Sequence, residues 1–278
     1  MAANVLMLLQ NNPYPQDRRV RPEAMALTDA GYHVTVIAPA APGQPWHEVI
    51  DGVHAYRYPA PPGFDGVLGF AYEYAYCVSM TVLLSLMVVI RRRFDVVHAH
   101  NPPDLFVFVA AFYKLFGVRF VFDHHDLSPE MYRARFGGRS SRLVYRALIG
   151  FEKLSCRLAD RVIATNESYK AVEMGRDGVP SGRITVVRNG PSLDRLRPVE
   201  PDQRLRRSGK VVIGYVGVMG FQDGIDYLLR ALRYLACELG RTDFFCVLIG
   251  TGDARASLEA LATELQLDEL VWFTGAIP

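Results

Sequence analysis

Short apolar runs alternate with helix-patterned segments through the first 190 residues, and this alternation constrains the fold more than any other feature. The runs cover residues 5–9, 33–38, 54–58, 96–99, 119–122, 161–164 and 184–187. Several are near-continuous in Val, Ile, Phe and Ala, as strands covered on both faces are. One intervening helix follows Asp17, takes Pro22 in its first turn, stops at Gly31 and is predicted to bury Val20, Ala24 and Leu27. Another spans about 141–159 and is expected to turn Leu143, Ala147, Phe151, Leu154 and Leu158 inward. Repeated strand–helix–strand units of this length predict a parallel α/β sheet.

From Gly190 to Lys210 the composition changes to prolines and charges, which reads as a linker. The pattern then restarts with VVIGYVGVMG, FFCVLIG and VWFTG as strands. Asp223 and Asp253 are placed to cap the two helices between them. The expected organisation is therefore an N-terminal Rossmann-like domain over 1–189, a linker over 190–210, and a partial C-terminal Rossmann-like domain over 211–278. Three strands and two helices are too few to cover a parallel sheet, and an open edge beside 271–274 is expected.

A net charge of +2, from 31 basic and 29 acidic residues, gives no reason to expect nucleic acid as a partner. The four cysteines, Cys77, Cys156, Cys237 and Cys246, lie in apolar stretches without metal spacing, which fits a reduced, cytoplasmic compartment. Residues 75–90 are almost wholly apolar and precede Arg91, Arg92 and Arg93. Glu73 interrupts this run upstream, and strands of one sheet flank it, so it is expected to be a buried or interfacial helix rather than a span.

Polar residues gather where strands end. The first turn, QNNPYPQDRRVRPE, lacks the glycines of a dinucleotide loop, which argues against a dehydrogenase. It places Asn11, Asn12, Asp17, Arg18 and Arg19 at a carboxyl end, either as ligand contacts or as a solvated turn into the helix. DVVHAHNPPD adds His98, His100, Asn101 and Asp104. RFVFDHHDLSPE adds Asp123, His124, His125, Asp126 and Glu130. Alternation sends neighbouring side chains to opposite faces, so only some of these reach one site. A metal is not expected, because no His pair has helical i, i+4 spacing and two strand ends need not converge.

Seven motifs in register, NNPYPQDRRV, DVVHAHNPPDL, FVFDHHDLSPEMY, RVIATNESY, VVRNGPSLDRLRP, GYVGVMGFQDGIDYLLRAL and VWFTG, resemble family-four (group 1) retaining glycosyltransferases, most of all the bacterial surface-polysaccharide branch. The resemblance implies a GT-B fold: one complete Rossmann-like parallel-sheet domain for the acceptor, then the first part of a second for a nucleoside-diphosphate sugar. It implies that His125, with Asp126 beside it, lies near the transferred sugar. It implies donor contacts at Gly217 and Gly220 and at Asn189 and Gly190, with Arg188 a candidate cation for the diphosphate. Asn11, Asp17, Arg18, Asn101 and Glu130 are the acceptor-side candidates.

The departures are specific. The first loop is NNPYP, and the donor loop carries Val218 and Asp223 where the family has Arg and Lys. The family's paired glutamates and returning C-terminal helix have no counterpart before Pro278. The implied chemistry is sugar transfer to a glycan or lipid-linked acceptor with retention, without metal or other cofactor. Alternatives are an inactive fragment or binding module lacking the donor half, and a sugar-nucleotide epimerase. Arg133, Arg135, Arg139, Arg142, Arg146, Lys153 and Arg157 form a basic stripe suited to anionic lipid on the inner membrane face or, equally, a solvated helix face balanced by Glu152.

Overall fold

The computed structural model describes residues 3–62, 66–137, 140–190, 198, 200 and 210–277. Most of the linker and Arg139 lie outside these. The chain divides into two compact units, Met1–Arg133 with Gly138–Gly190, and Ala134–Gly137 with Pro191–Pro278.

The first unit is built on eight strands: β1 (Asn4–Leu8), β2 (His33–Pro39), β3 (His47–Ile50), β4 (Val53–Tyr58), β5 (Val96–His100), β6 (Arg119–His124), β7 (Arg161–Ala164) and β8 (Ile184–Val186). Their spatial order is β3-β4-β2-β1-β5-β6-β7-β8, and every pairing is parallel except β3 with β4. The order reverses beside β1, which creates a topological switch point at the carboxyl ends of β1 and β5. β3 is the one strand here that the apolar pattern does not predict. It is short and only half-buried, so no continuous apolar run marks it.

Alternation divides this sheet into two faces. Leu6, Leu8, Val97, Ala99, Phe120, Phe122, Val162 and Ala164 join one buried cluster. That cluster lies under α2 (Gly66–Arg91), α3 (Phe106–Lys114), α5 (Arg142–Leu158) and α6 (Glu167–Gly175), while α4 (Ser128–Phe136) follows β6. On the other face Val5, Met7 and Leu9 pack with Val20 and Ala24 of α1 (Val20–Asp29), as predicted.

One helix takes the interfacial form of its two expected states, and another departs from expectation. In α2 only 22% of the most apolar window is buried, although the helix is long and apolar enough to cross a membrane. Its ends feed β4 and β5 of a single sheet, and it packs along β2, β4 and α3, which is incompatible with a span. In α5 the buried residues are Glu152, Ser155 and Cys156, whereas Leu143 and Leu154 of the predicted inner stripe are 79% and 42% exposed. Glu152 therefore does not balance the basic stripe from the surface. It is drawn inward by buried cations described below.

The second unit has β9 (Val211–Val216), β10 (Phe244–Ile249) and β11 (Val271–Gly275), all parallel in the order β11-β10-β9. β11 forms one edge, as expected. β9 forms the other and leaves Val211 and Val216 exposed. Ile225, Leu229 and Leu232 of α7 (Ile225–Cys237) and Leu258 and Ala262 of α8 (Arg255–Glu264) pack with Phe244, Cys246 and Leu248.

Candidate functional site

Strand pairing brings the two histidine motifs together. His100 of β5 lies opposite Asp123 of β6 in register, and His98, His100, Asp123 and His125 share the α1 face. Asp123 Oδ2 is 2.9 Å from His125 Nε2, 3.0 Å from His100 Nδ1 and 3.7 Å from His98 Nε2. Glu23, reaching across from α1, puts Oε2 3.7 Å from His100 and 4.0 Å from His98. Burial alone would raise Asp123, but the three imidazoles hold its carboxyl well below the usual range. Glu23 moves the other way: burial and the Asp123 carboxylate push it up to about 8. Burial and neighbouring His98 lower His100 to about 4.

His125 is buried, with only 3% of its side chain exposed. An ionised Asp123 keeps the proton on Nε2, so Nδ1 is the acceptor, and Asn189 Nδ2 lies 3.4 Å from it. Asn189 is exposed, as are Arg188 and Gly190 beside it. The structure thus joins the DHHD motif to the N-G step.

Other predicted site residues turn out to hold the chain itself. Asn101, proposed for an acceptor, is fully buried. Its Oδ1 accepts from the amides of His125 (2.6 Å) and Asp126 (3.1 Å), and its Nδ2 donates to Asp104 Oδ1 (3.0 Å) and the Asp126 carbonyl (2.7 Å). It clamps the turn after β6 and leaves no group for a ligand. Asp17 is likewise buried and accepts from the amides of Arg19 and Val20 at the start of α1. Burial opposes ionisation there, but Arg19 and these amides lower its pKa to about 2. Glu130 pairs with Arg176 on the opposite side of β6. Asn11 and Arg18 remain exposed near the end of β1. Asp126 keeps a partly exposed carboxylate 3.9 Å from Arg19.

The glycine-poor first loop is held by a residue that sequence reading passes over. Arg57 of β4 is 3% exposed, donates from Nε and a terminal nitrogen to the Tyr14 carbonyl (3.0 and 2.8 Å), and pairs with Glu48 at 2.6 Å. Its only sequence signal is an Arg inside a strand pattern.

His124 points to the other face of β6, as alternation requires. Its Nδ1 is 3.0 Å from Glu173 and its Nε2 3.6 Å from Glu152, while Arg176 reaches Glu152 at 2.7 Å. Burial would lower His124, but Cys156, Glu152 and Glu173 hold it well above its ordinary value. Asp177 beside them is pushed up to about 7 by burial and the Glu152 carboxylate.

In the second unit, Gly217 and Gly220 flank the turn after β9. The Gly217 amide donates to Ile249 (3.0 Å) and the Met219 amide to Thr251 (2.9 Å), so this turn leans on a second one, Gly250–Gly252. A Cβ on Gly250, whose φ is +140°, would meet the Gly217 carbonyl oxygen at 1.8 Å. That second glycine pair is absent from the sequence-based site. Asp223 does not cap α7. A short 3-10 turn and Gly224, with φ +69°, intervene, and its carboxylate accepts from the Gly220 amide at 2.7 Å. A hollow of about 440 Å³ beside Gly220 and Phe221 is walled by Ile225, Ser257, Leu258 and Leu261.

Comparison with known proteins agrees with this architecture. Residues 16–190 match the family described as Glycosyl transferase 4-like domain, and 197–278 match Glycosyl transferases group 1. The 2-deoxystreptamine glucosyltransferase of Streptomyces kanamyceticus is 26% identical over 210 residues, covering 72% of this chain and 53% of that protein. An uncharacterised glycosyltransferase of Methanocaldococcus jannaschii is 28% identical over 267 residues, covering 91% and 63%. The chain thus spans between half and two thirds of these relatives' lengths. Among solved structures, the sucrose-phosphate synthase of Thermosynechococcus elongatus superposes with a TM-score of 0.76 at 19% identity, over 99% of this chain and 71% of that one. Anabaena HepE, solved with UDP and glucose, gives 0.67 at 20% identity over 99% and 70%. The fold is GT-B-like, and the chain belongs to the glycosyl transferase 4-like family, followed by sequence of the group 1 glycosyltransferases.

Proposed function

We propose that this protein transfers a sugar from a nucleoside diphosphate to a glycan or lipid-linked acceptor with retention of configuration. The meeting of His125 with Asp123 and Asn189 at the strand ends carries this reading. Asp123 fixes the ring, and Nδ1 is the acceptor that a sugar hydroxyl takes over from the long Asn189 contact. The bond from C1 to the diphosphate breaks while the acceptor oxygen bonds C1 from the same face, and its proton passes to the diphosphate. The protein's task is to align the reactants and stabilise the leaving charge. Arg188, exposed beside Asn189, is the group proposed for that charge, and no organic cofactor is required. Calorimetric titration with UDP- and GDP-sugars, on this chain and on the protein as its gene encodes it, tests the reading. Binding of one donor to the encoded protein is expected, and binding to neither would overturn it. Donor turnover without acceptor would point to an epimerase instead.

We also propose a peripheral site on the inner, anionic membrane face, in a cytoplasmic protein. Leu83 and Ile90 of α2, Phe108 and Phe112 of α3, Leu115 and Phe116 beyond it, and Leu143 and Leu154 of α5 are 42–85% exposed. These helices adjoin through α2–α3 and α3–α5 packing, with Phe108 against Phe151. Arg142 and Arg146 are exposed on α5, Arg91 ends α2, and Arg92 and Arg93 follow it. Apolar area beside basic charge suits an anionic interface. Arg133 and Arg157 contribute less, because the first stacks on Tyr145 and the second donates to the Asp177 carbonyl. Flotation with anionic vesicles should fall several-fold in an Arg142→Glu, Arg146→Glu variant, and unchanged flotation would remove the membrane from the account.

A further inference from the structure

We propose that Glu23, His98, His100 and Asp123 form a binding site for one divalent transition-metal ion of the zinc class. Sequence reading argues against a metal because two strand ends need not converge, but the β5–β6 register makes these converge. One ligating atom from each residue lies within 4.8 Å of the others. The Asp123–His100, Asp123–His98, Glu23–His100 and Glu23–His98 edges are 3.0, 3.7, 3.7 and 4.0 Å. Tetrahedral zinc, with ligands at about 2.0–2.1 Å, has edges of roughly 3.3–3.4 Å, so the observed polyhedron brackets the required one.

Unpartnered atoms supply an independent observation. Both ring nitrogens of His100, which is 1% exposed, have no hydrogen-bond partner. The same holds for His98 Nε2, Asp123 Oδ1 and Glu23 Oε2. Although 3.0 Å apart, His100 Nδ1 and Asp123 Oδ2 are not aligned for a hydrogen bond. Buried polar groups are nearly always partnered. The His124 cluster also holds unpartnered atoms, but Arg176 answers its carboxylates there, whereas His100 Nδ1, His98 Nε2 and Glu23 Oε2 face one another with no such cation among them. Two carboxylates facing two imidazoles call for a cation. Mixed nitrogen and oxygen donors favour zinc and its neighbours over magnesium or calcium.

The ion would tie α1 to the ends of β5 and β6 and, through Asp123, fix the orientation of His125. Its role is one of positioning. Metal binding can be read directly, so the site stands or falls separately from the transfer reaction. The test uses the whole chain, stripped with chelator and dialysed, then titrated with Zn²⁺ by calorimetry and with Co²⁺ by visible absorption. One equivalent per chain is expected, with a tetrahedral Co²⁺ spectrum and a rise in Tm. The His98→Ala, His100→Ala double variant should bind at least about 100-fold more weakly. A His47→Ala, His54→Ala control removes the other close His pair, at 3.4 Å, and should bind as wild type. If the double variant does not fold, Glu23→Gln decides, with about tenfold weakening expected. Absence of stoichiometric binding, or affinity unchanged by removing these ligands, would overturn the site.

Discussion

The two faces of β6 at its carboxyl end carry the same kinds of residue to opposite effect. On one face His124 meets Glu152 and Glu173, Arg176 answers Glu152, and all but Arg176 are fully buried. Two cations offset the carboxylates, and burial with the Glu152 carboxylate pushes Asp177 up to about 7, so it is only partly ionised near neutrality. On the other face His98, His100, Glu23 and Asp123 crowd together with several atoms unpartnered. The first cluster, with Arg176 as a fixed cation, fastens α5 and α6 to the sheet. The second has no Arg or Lys among its four members, and that difference, rather than the unpartnered atoms both clusters contain, makes it a place for an added cation.

This contrast predicts different responses to mutation. Glu152→Ala leaves His124 and Arg176 facing each other without their shared carboxylate and should cost about 3–5 kcal/mol in urea unfolding. His100→Ala in metal-free protein should cost less, about 1–2 kcal/mol, because Asp123 loses one of its three imidazoles but keeps His125 and His98. Equal losses at both positions would break the comparison. Asn101→Ala is intermediate, at about 2–3 kcal/mol, because it frees two backbone amides and Asp104 Oδ1.

The last effect concerns pH. Asp177 faces Glu152 of α5, His124 of β6, and Glu173 and Arg176 at the end of α6. A carboxyl whose folded pKa is raised binds its proton more tightly when folded. Its contribution is greatest below about pH 4 and is lost as pH rises through about 7. Asp177→Asn should therefore flatten stability between pH 4 and 8, by on the order of 1–2 kcal/mol relative to wild type. A slope that persists in this variant would place the titration elsewhere in the cluster.

The sequence reveals one of these faces better than the other. Continuous apolar runs predict the parallel strands, and alternation predicts that only some of the clustered polar residues share a face, without saying which. Pairing register is non-local, so the encounter of His100 with Asp123 could not be read from either motif alone. The inner face of α5 was misread for a related reason. Glu152 is buried because distant Arg176 and His124 receive it, and nothing within residues 141–159 reports them. Asn101 and Asp17 look like ligand contacts in sequence because both are polar residues near strand ends. Backbone amides folded around them use that polarity instead. In the second unit, Gly250 became visible only when the turn it leans on was in place.

The central claim is that His125 acts on the transferred sugar from the α1 face of the sheet. Transfer of labelled sugar from UDP- and GDP-sugars to a membrane-derived acceptor, by the encoded protein and its His125→Ala variant, tests it most directly. The account predicts a fall in kcat/KM of roughly 100-fold or more, with donor affinity within about threefold and His124 chemistry untouched. Full transfer by a folded His125→Ala variant would contradict it.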